Sequence, residues 1–202
     1  MQIKMISVTG VFFSLCLMAV VACAEEPATA PAAVADEAGI LQTFRDYNDA
    51  MAKGDEATMI ALQHAATDDQ KKFQKAIAAN DLAVGKLKAA VAGKFGADAA
   101  KQVAKAVGDV GNDDLIRAKV QLHENKAMIA IDGGGIPMIK VDGKWKFDMS
   151  DPSMSGSPER IAQQLAGYES RAKNMNAIAL AVNEGKITTV DEILKALKND
   201  SL

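Results

Sequence analysis

The sequence predicts an α+β domain. Apolar residues recur at helical spacing through the first half, alternate with polar ones from Ile116 to His123 and again from Lys144 to Met149, and return to helical spacing after Ser157. Helices, then a run of short strands, then a helix imply an antiparallel sheet of about four strands packed on N-terminal helices.

Ile40, Phe44, Tyr47 and Met51 mark one face of a first helix over 40–53, and Gly54 ends it. Asp55 caps a second helix that runs to about Ala65. Thr67 and Gln70 have capping-box spacing and start a long helix to about Gly93. Its stripe is Phe73, Ile77, Asn80, Val84, Leu87 and Val91. Lys94-Phe95-Gly96 breaks it, and Ala100, Val103, Ala104 and Val107 form a shorter helix.

The period then changes. Ile116, Ala118, Val120 and Leu122 alternate with Arg117, Lys119, Gln121 and His123, as in a half-buried strand. Residues 127–131 and 136–141 are the next strands, joined by a turn at Asp132-Gly133-Gly134-Gly135. Asp142-Gly143 signals a type I′ hairpin into a fourth strand over 144–149. On it Trp145, Phe147 and Met149 share one face, while Lys144, Lys146 and Asp148 share the other. Ser157 with Pro158 starts a helix carrying Ile161, Leu165, Tyr168, Met175, Ile178 and Val182. Thr189 and Glu192 cap a last short helix.

Ahead of all this lies an export signal. Lys4 supplies a positive start, and 5–21 are apolar. Glu25, Glu26 and Pro27 follow in place of a basic stop-transfer flank. Val20-Val21-Ala22-Cys23 resembles the bacterial lipobox. It implies removal of 1–22 and acylation of Cys23, which would tether the protein to a membrane. Ala22-Cys23-Ala24 also permits cleavage before Glu25, which would release a soluble periplasmic or secreted chain. Cys16 leaves with the signal and Cys23 is acylated or removed, so the mature domain has no thiol. Residues 23–39, with Pro27, Pro31 and four acids but no large side chain, read as an acidic Ala/Pro tether, and 40–202 as a single domain.

The 202 residues carry 23 basic and 26 acidic side chains, a net charge of −3, and that balance speaks against a nucleic-acid partner. Two cysteines and two histidines point to no metal site and to no cofactor. Gly133-Gly134-Gly135 precedes a strand, not the helix a phosphate cradle needs.

Phe44-x-x-Tyr47…Ala50…Gly54-Asp55, a second short helix and strands ending in Val141-Asp142-Gly143-Lys144-Trp145-Lys146-Phe147 resemble the nuclear-transport-factor-2-like superfamily. The likeness covers 40–66 and 115–149, leaving 67–110 as a helical insertion and 157–202 as a helical tail. It implies a cone: a curved sheet wrapped round helices, often with a cavity. Isomerases, dehydratases, cyclases and inert binding domains share that fold, so it assigns no activity.

By strand phase, His123 and Asp148 face water, and His64 complements the end of the second helix. Tyr47, Trp145 and Phe147 lie on apolar faces and are the candidate pocket residues. The expected protein is an exported binding or interaction module, not an enzyme. Its partner is an unidentified small molecule or envelope protein, with a homodimer through 68–108 as a further option. The alternative is a cavity enzyme of isomerase or dehydratase type with Tyr47 as acid.

Overall fold

The computed structural model describes residues 31–131 and 134–199. The signal segment, Cys23 and the first part of the tether lie outside the described residues. Among the described residues there are seven α-helices, one 3-10 turn and a five-stranded sheet. The chain is α+β.

Helix α1 spans Pro31–Lys53. It begins at Pro31 rather than Ile40, so 31–39, read above as tether, is helical. Ile40 is fully buried, and Phe44, Tyr47 and Met51 are also in the core. Helix α2, Glu56–Ala61, has Asp55 as its N-cap, with the side chain accepting from Thr58 N. It stops short of Ala65 because the chain turns extended at β1, Gln63–His64. His64 is therefore on a strand, not at a helix end.

Helix α3, Asp68–Phe95, has the expected capping box, with Thr67 and Gln70 each satisfying the other's backbone. Its 28 residues make a rod about 42 Å long. Phe73, Asn80, Val84, Leu87 and Val91 are all buried. Helix α4 follows at Ala97–Val107 and closes at Gly108, whose φ of 72° suits glycine.

A 3-10 turn occupies Asp114–Arg117, where strand had been expected from Ile116. Ile116 is 87% exposed as a result. The strands are β2 Lys119–His123, β3 Lys126–Ile131, β4 Gly134–Val141 and β5 Lys144–Asp148. The sheet order is β1-β5-β4-β3-β2. Neighbours from β2 to β5 are antiparallel, and β1 joins β5 in parallel, so the sheet is mixed, not purely antiparallel. Asp142 and Gly143 both have positive φ, as a type I′ hairpin requires.

A one-turn helix, α5 Pro152–Ser155, leads to α6 Pro158–Asn183 and α7 Val190–Asn199. Ser157 and Thr189 cap the last two as their sequences imply. Phe73 meets Tyr168 edge to face at 5.6 Å, and Lys94 Nζ donates to Val182 O at 3.2 Å. Both pairs advance together, so α3 and α6 run in the same direction. Ala83, Ala90, Ala172 and Ala179 are buried along them and let the backbones approach closely. The apolar stripe of α3 is thus covered by the chain's own helices.

Two apolar clusters result. One joins α1, α2 and the inner sheet face around Ile129, Met138, Trp145 and Phe147. The other joins the later turns of α3 to α4, α6 and α7 around Leu87, Val103, Val182 and Ile193. Each large side chain so buried contributes about 1.5–3 kcal/mol of transfer free energy.

Candidate functional site

A cleft of about 200 Å³ opens beside the first cluster. Phe44, Tyr47, Asn48 and Met51 of α1 form one wall, with Phe147 of β5, Ile136 of β4 and Met149 beyond them. Ile77 and Asp81 of α3, Gln63 of β1, the 108–110 loop and Met154 complete the lining. Helical spacing puts Phe44, Tyr47 and Met51 on one side of α1, and strand alternation turns Phe147 toward them.

Three aromatic rings pack together there. Phe147 meets Tyr47 at 5.0 Å and Phe44 at 5.6 Å, both edge to face. Such contacts fix the rings and hold the Tyr47 hydroxyl in one place.

That hydroxyl donates to Asp81 Oδ2 at 2.8 Å and accepts from Gln63 Nε2 at 3.2 Å. Asn80 Nδ2 donates to Asp81 Oδ1 at 3.0 Å. Gln63 is held in turn by its backbone. Its strand pairs with Phe147 and Asp148 of β5, and Gln74 Nε2 donates to the carbonyls of Ile60 and Gln63. Gln63 is 4% exposed, yet its Oε1 has no hydrogen-bond partner.

Electrostatics follow from this burial. Desolvation pushes the Asp81 carboxyl above the ordinary carboxylate range, and the Tyr47 and Asn80 hydrogen bonds oppose it. Nearby Asp109 pushes the same way as burial, and Arg171 opposes. Burial and then the Asp81 charge drive the Tyr47 hydroxyl far above its usual value, so it remains a proton donor. Tyr168 is raised by the same two causes. Asp109, also on the cleft, forms an ion pair with Lys88. Asn48 ties the loop to α1 by donating to Val110 O at 3.3 Å and Asn112 Oδ1 at 2.8 Å.

Of the candidates read from the sequence, Tyr47 and Phe147 meet in this cleft. Trp145 is buried on the same sheet face but lies under the start of α1. Its Nε1 donates to Asp36 Oδ1 at 3.0 Å, and Lys140 Nζ sits 5.6 Å from its ring. Asp81 and Gln63 were not foreseen. Asp81 lies one residue off the recognised stripe of α3, and a two-residue strand has no period to read.

His123 is exposed at the end of β2, as its phase implies. Asp148 departs from the reading as a solvated group. It keeps the phase opposite to Phe147 but is only 1% exposed. The turn after β5 folds back on it, with Ser150 N and Oγ donating to Oδ1. Lys126 Nζ stands 3.9 Å from Oδ2. Parity fixed its side of the sheet, but not what covers that side.

Among the described residues no helix is long and apolar enough to cross a membrane, and no three His, Cys, Asp or Glu side chains gather as a metal site. Comparison with protein-family models, with curated proteins and with solved structures finds no match to this chain.

Proposed function

We propose that the domain is a binding module that receives a small, largely apolar molecule in the cleft between α1, α3 and β5. In this reading the protein is exported and held at a membrane by a lipid on Cys23, and its fold is a member of the nuclear-transport-factor-2-like class. The observation that supports binding is the cleft itself: three fixed aromatic rings and flanking methionines, with polar side chains at Tyr47, Asn48, Gln63, Asp81 and Asp109. Mostly apolar concavities with a few placed polar groups are the usual form of a ligand site. At about 200 Å³ it suits a single ring, since a cavity of about 150 Å³ admits benzene.

The test uses toluene and benzyl alcohol as probes, followed by chemical-shift changes of the Tyr47 and Phe147 ring protons. Saturable shifts confined to cleft residues are expected. No shift with either probe overturns the reading.

A second reading is a cavity enzyme of isomerase or dehydratase type. The 2.8 Å contact of Tyr47 with Asp81 favours it, because a hydroxyl that keeps its proton beside a carboxylate of raised affinity is an acid next to a base. Proton exchange from a carbon acid bound in the cleft, abolished in Asp81→Asn with binding retained, is the result it requires.

A further inference from the structure

We infer that the cleft selects a small organic ammonium ion: an apolar body of about one ring carrying a single positive nitrogen. The inference rests on the binding reading above and adds the charge of the ligand to it.

The argument begins with the carboxylates. Two line the cleft, Asp81 and Asp109. Asp109 has Lys88 as its counter-ion. Among the described residues the hydrogen bonds to Asp81 come from neutral groups, the Tyr47 hydroxyl and the Asn80 amide, and Arg171 adds a favourable charge without a hydrogen bond to it. A half-buried carboxylate held by neutral donors gains most from a cation that also brings hydrogen-bond donors.

The surroundings have the same preference. Phe44, Tyr47 and Phe147 line the cleft, and aromatic faces attract cations when water is excluded. An ammonium group is donor-only, which matches acceptors and ring faces. A carboxylate ligand would instead meet Asp81 with like charge. A neutral alcohol would satisfy one acceptor and leave the charge of Asp81 where it is.

Three probes of matched size decide the matter: benzylammonium, benzyl alcohol and benzoate. Each is titrated into the protein at neutral pH and low salt, with binding read from the Tyr47 and Phe147 ring protons. Benzylammonium is expected to bind at least tenfold more tightly than benzyl alcohol, and benzoate more weakly than both. In Asp81→Asn the ratio of benzylammonium to benzyl alcohol affinity falls to about one. The wild-type comparison needs no variant, so a misfolded Asp81→Asn does not spare the inference. Equal affinity for benzylammonium and benzyl alcohol overturns the ammonium preference and leaves the apolar cleft standing. Failure of all three to bind overturns both. An ammonium advantage that persists in a folded Asp81→Asn protein overturns the role given to Asp81.

Discussion

Asp36 and Trp145 are joined by a hydrogen bond of 3.0 Å from the indole Nε1 to Oδ1, which fastens the start of α1 across β5. Lys140 pairs with the same carboxylate oxygen and lies over the same indole. Thr43 adds to the seam, its hydroxyl lying 3.2 Å from the Trp145 carbonyl and 3.0 Å from that of Gly39.

Replacing Asp36 should therefore loosen the first turns of α1. The Lys140 and then the Trp145 hydrogen bond hold its carboxyl below the ordinary range. A lowered folded value means the contribution is complete above the usual carboxylate pKa and is lost as pH falls through the lowered one. The emission of Trp145, the only tryptophan, should stay constant from neutral pH to about 4 and change below it. In Asp36→Asn the change should be present already at neutral pH, with faster amide exchange over 31–39. Unchanged emission and exchange would count against the seam.

Three glycine substitutions should differ in sign. A Cβ on Gly85 would stand 3.1 Å from Met51 O and 3.2 Å from Met51 Cγ, whereas Gly93 and Gly167 face open space. Helix propensity favours alanine by about 1 kcal/mol at all three. Gly93→Ala and Gly167→Ala should stabilise by up to about that amount. Gly85→Ala should be neutral to destabilising by about 2 kcal/mol, since overpacking costs about 1–3 kcal/mol and the propensity gain offsets about 1 of it. Denaturant midpoints of the three variants check this ordering.

Tyr47→Phe removes a hydroxyl that serves two partners, the buried Gln63 and the half-buried Asp81. It should cost about 1–3 kcal/mol, because Gln63 Nε2 and Asp81 each lose a contact. Phe147→Ala opens the centre of the ring cluster and should cost about 3–5 kcal/mol. Equilibrium urea unfolding measures both, and a cost for Tyr47→Phe near zero would mean the hydroxyl contact is not formed.

Asp81 should give a pH signature of opposite sign to Asp36. Its carboxyl is raised in the folded chain, chiefly by burial, with Asp109 adding and Tyr47, Asn80 and Arg171 opposing. Stability linked to it is complete below the ordinary carboxylate value and is lost as pH rises through the raised one. Asp81→Asn should gain on wild type as pH rises through that window and hold its gain above it. Parallel stability curves for the two proteins would remove the shift.

The mature N-terminus should be Cys23 carrying acyl chains. Intact-mass spectrometry of the protein recovered from cells reads this directly, and a product beginning at Glu25 would reject the anchor.

Local signals in the sequence were legible where a few neighbouring residues decide the outcome. Thr67 with Gln70, Thr189 with Glu192, Ser157 with Pro158 and Asp142-Gly143 all act within one turn, and each folds as its chemistry dictates. The apolar phases of α1, α3 and β5 were legible for the same reason: period alone sets them. What escaped depends on distant partners. Gln63 and His64 become a strand only because β5 offers its edge. Residues 31–39 are helical with Asp36 fastened to Trp145 and Lys140, residues more than a hundred positions away. Ile116 follows the alternating pattern yet lies in a 3-10 turn, where alternation has no meaning. In the site, Tyr47 and Phe147 were foreseen from phase, while Asp81 joins them through the packing of α3 on α1.

Helix α3 belongs to both apolar clusters, with Ala78 in one and Ala83 the first of its residues in the other. Asp81 sits between them, at the crossing point. Opening of the distal helices would therefore uncover the same rod that carries the residue Tyr47 grips. Anything seated against Asp81 should brace α4, α6 and α7 from afar, and a lesion among those helices should be felt as a weakened grip in the cleft.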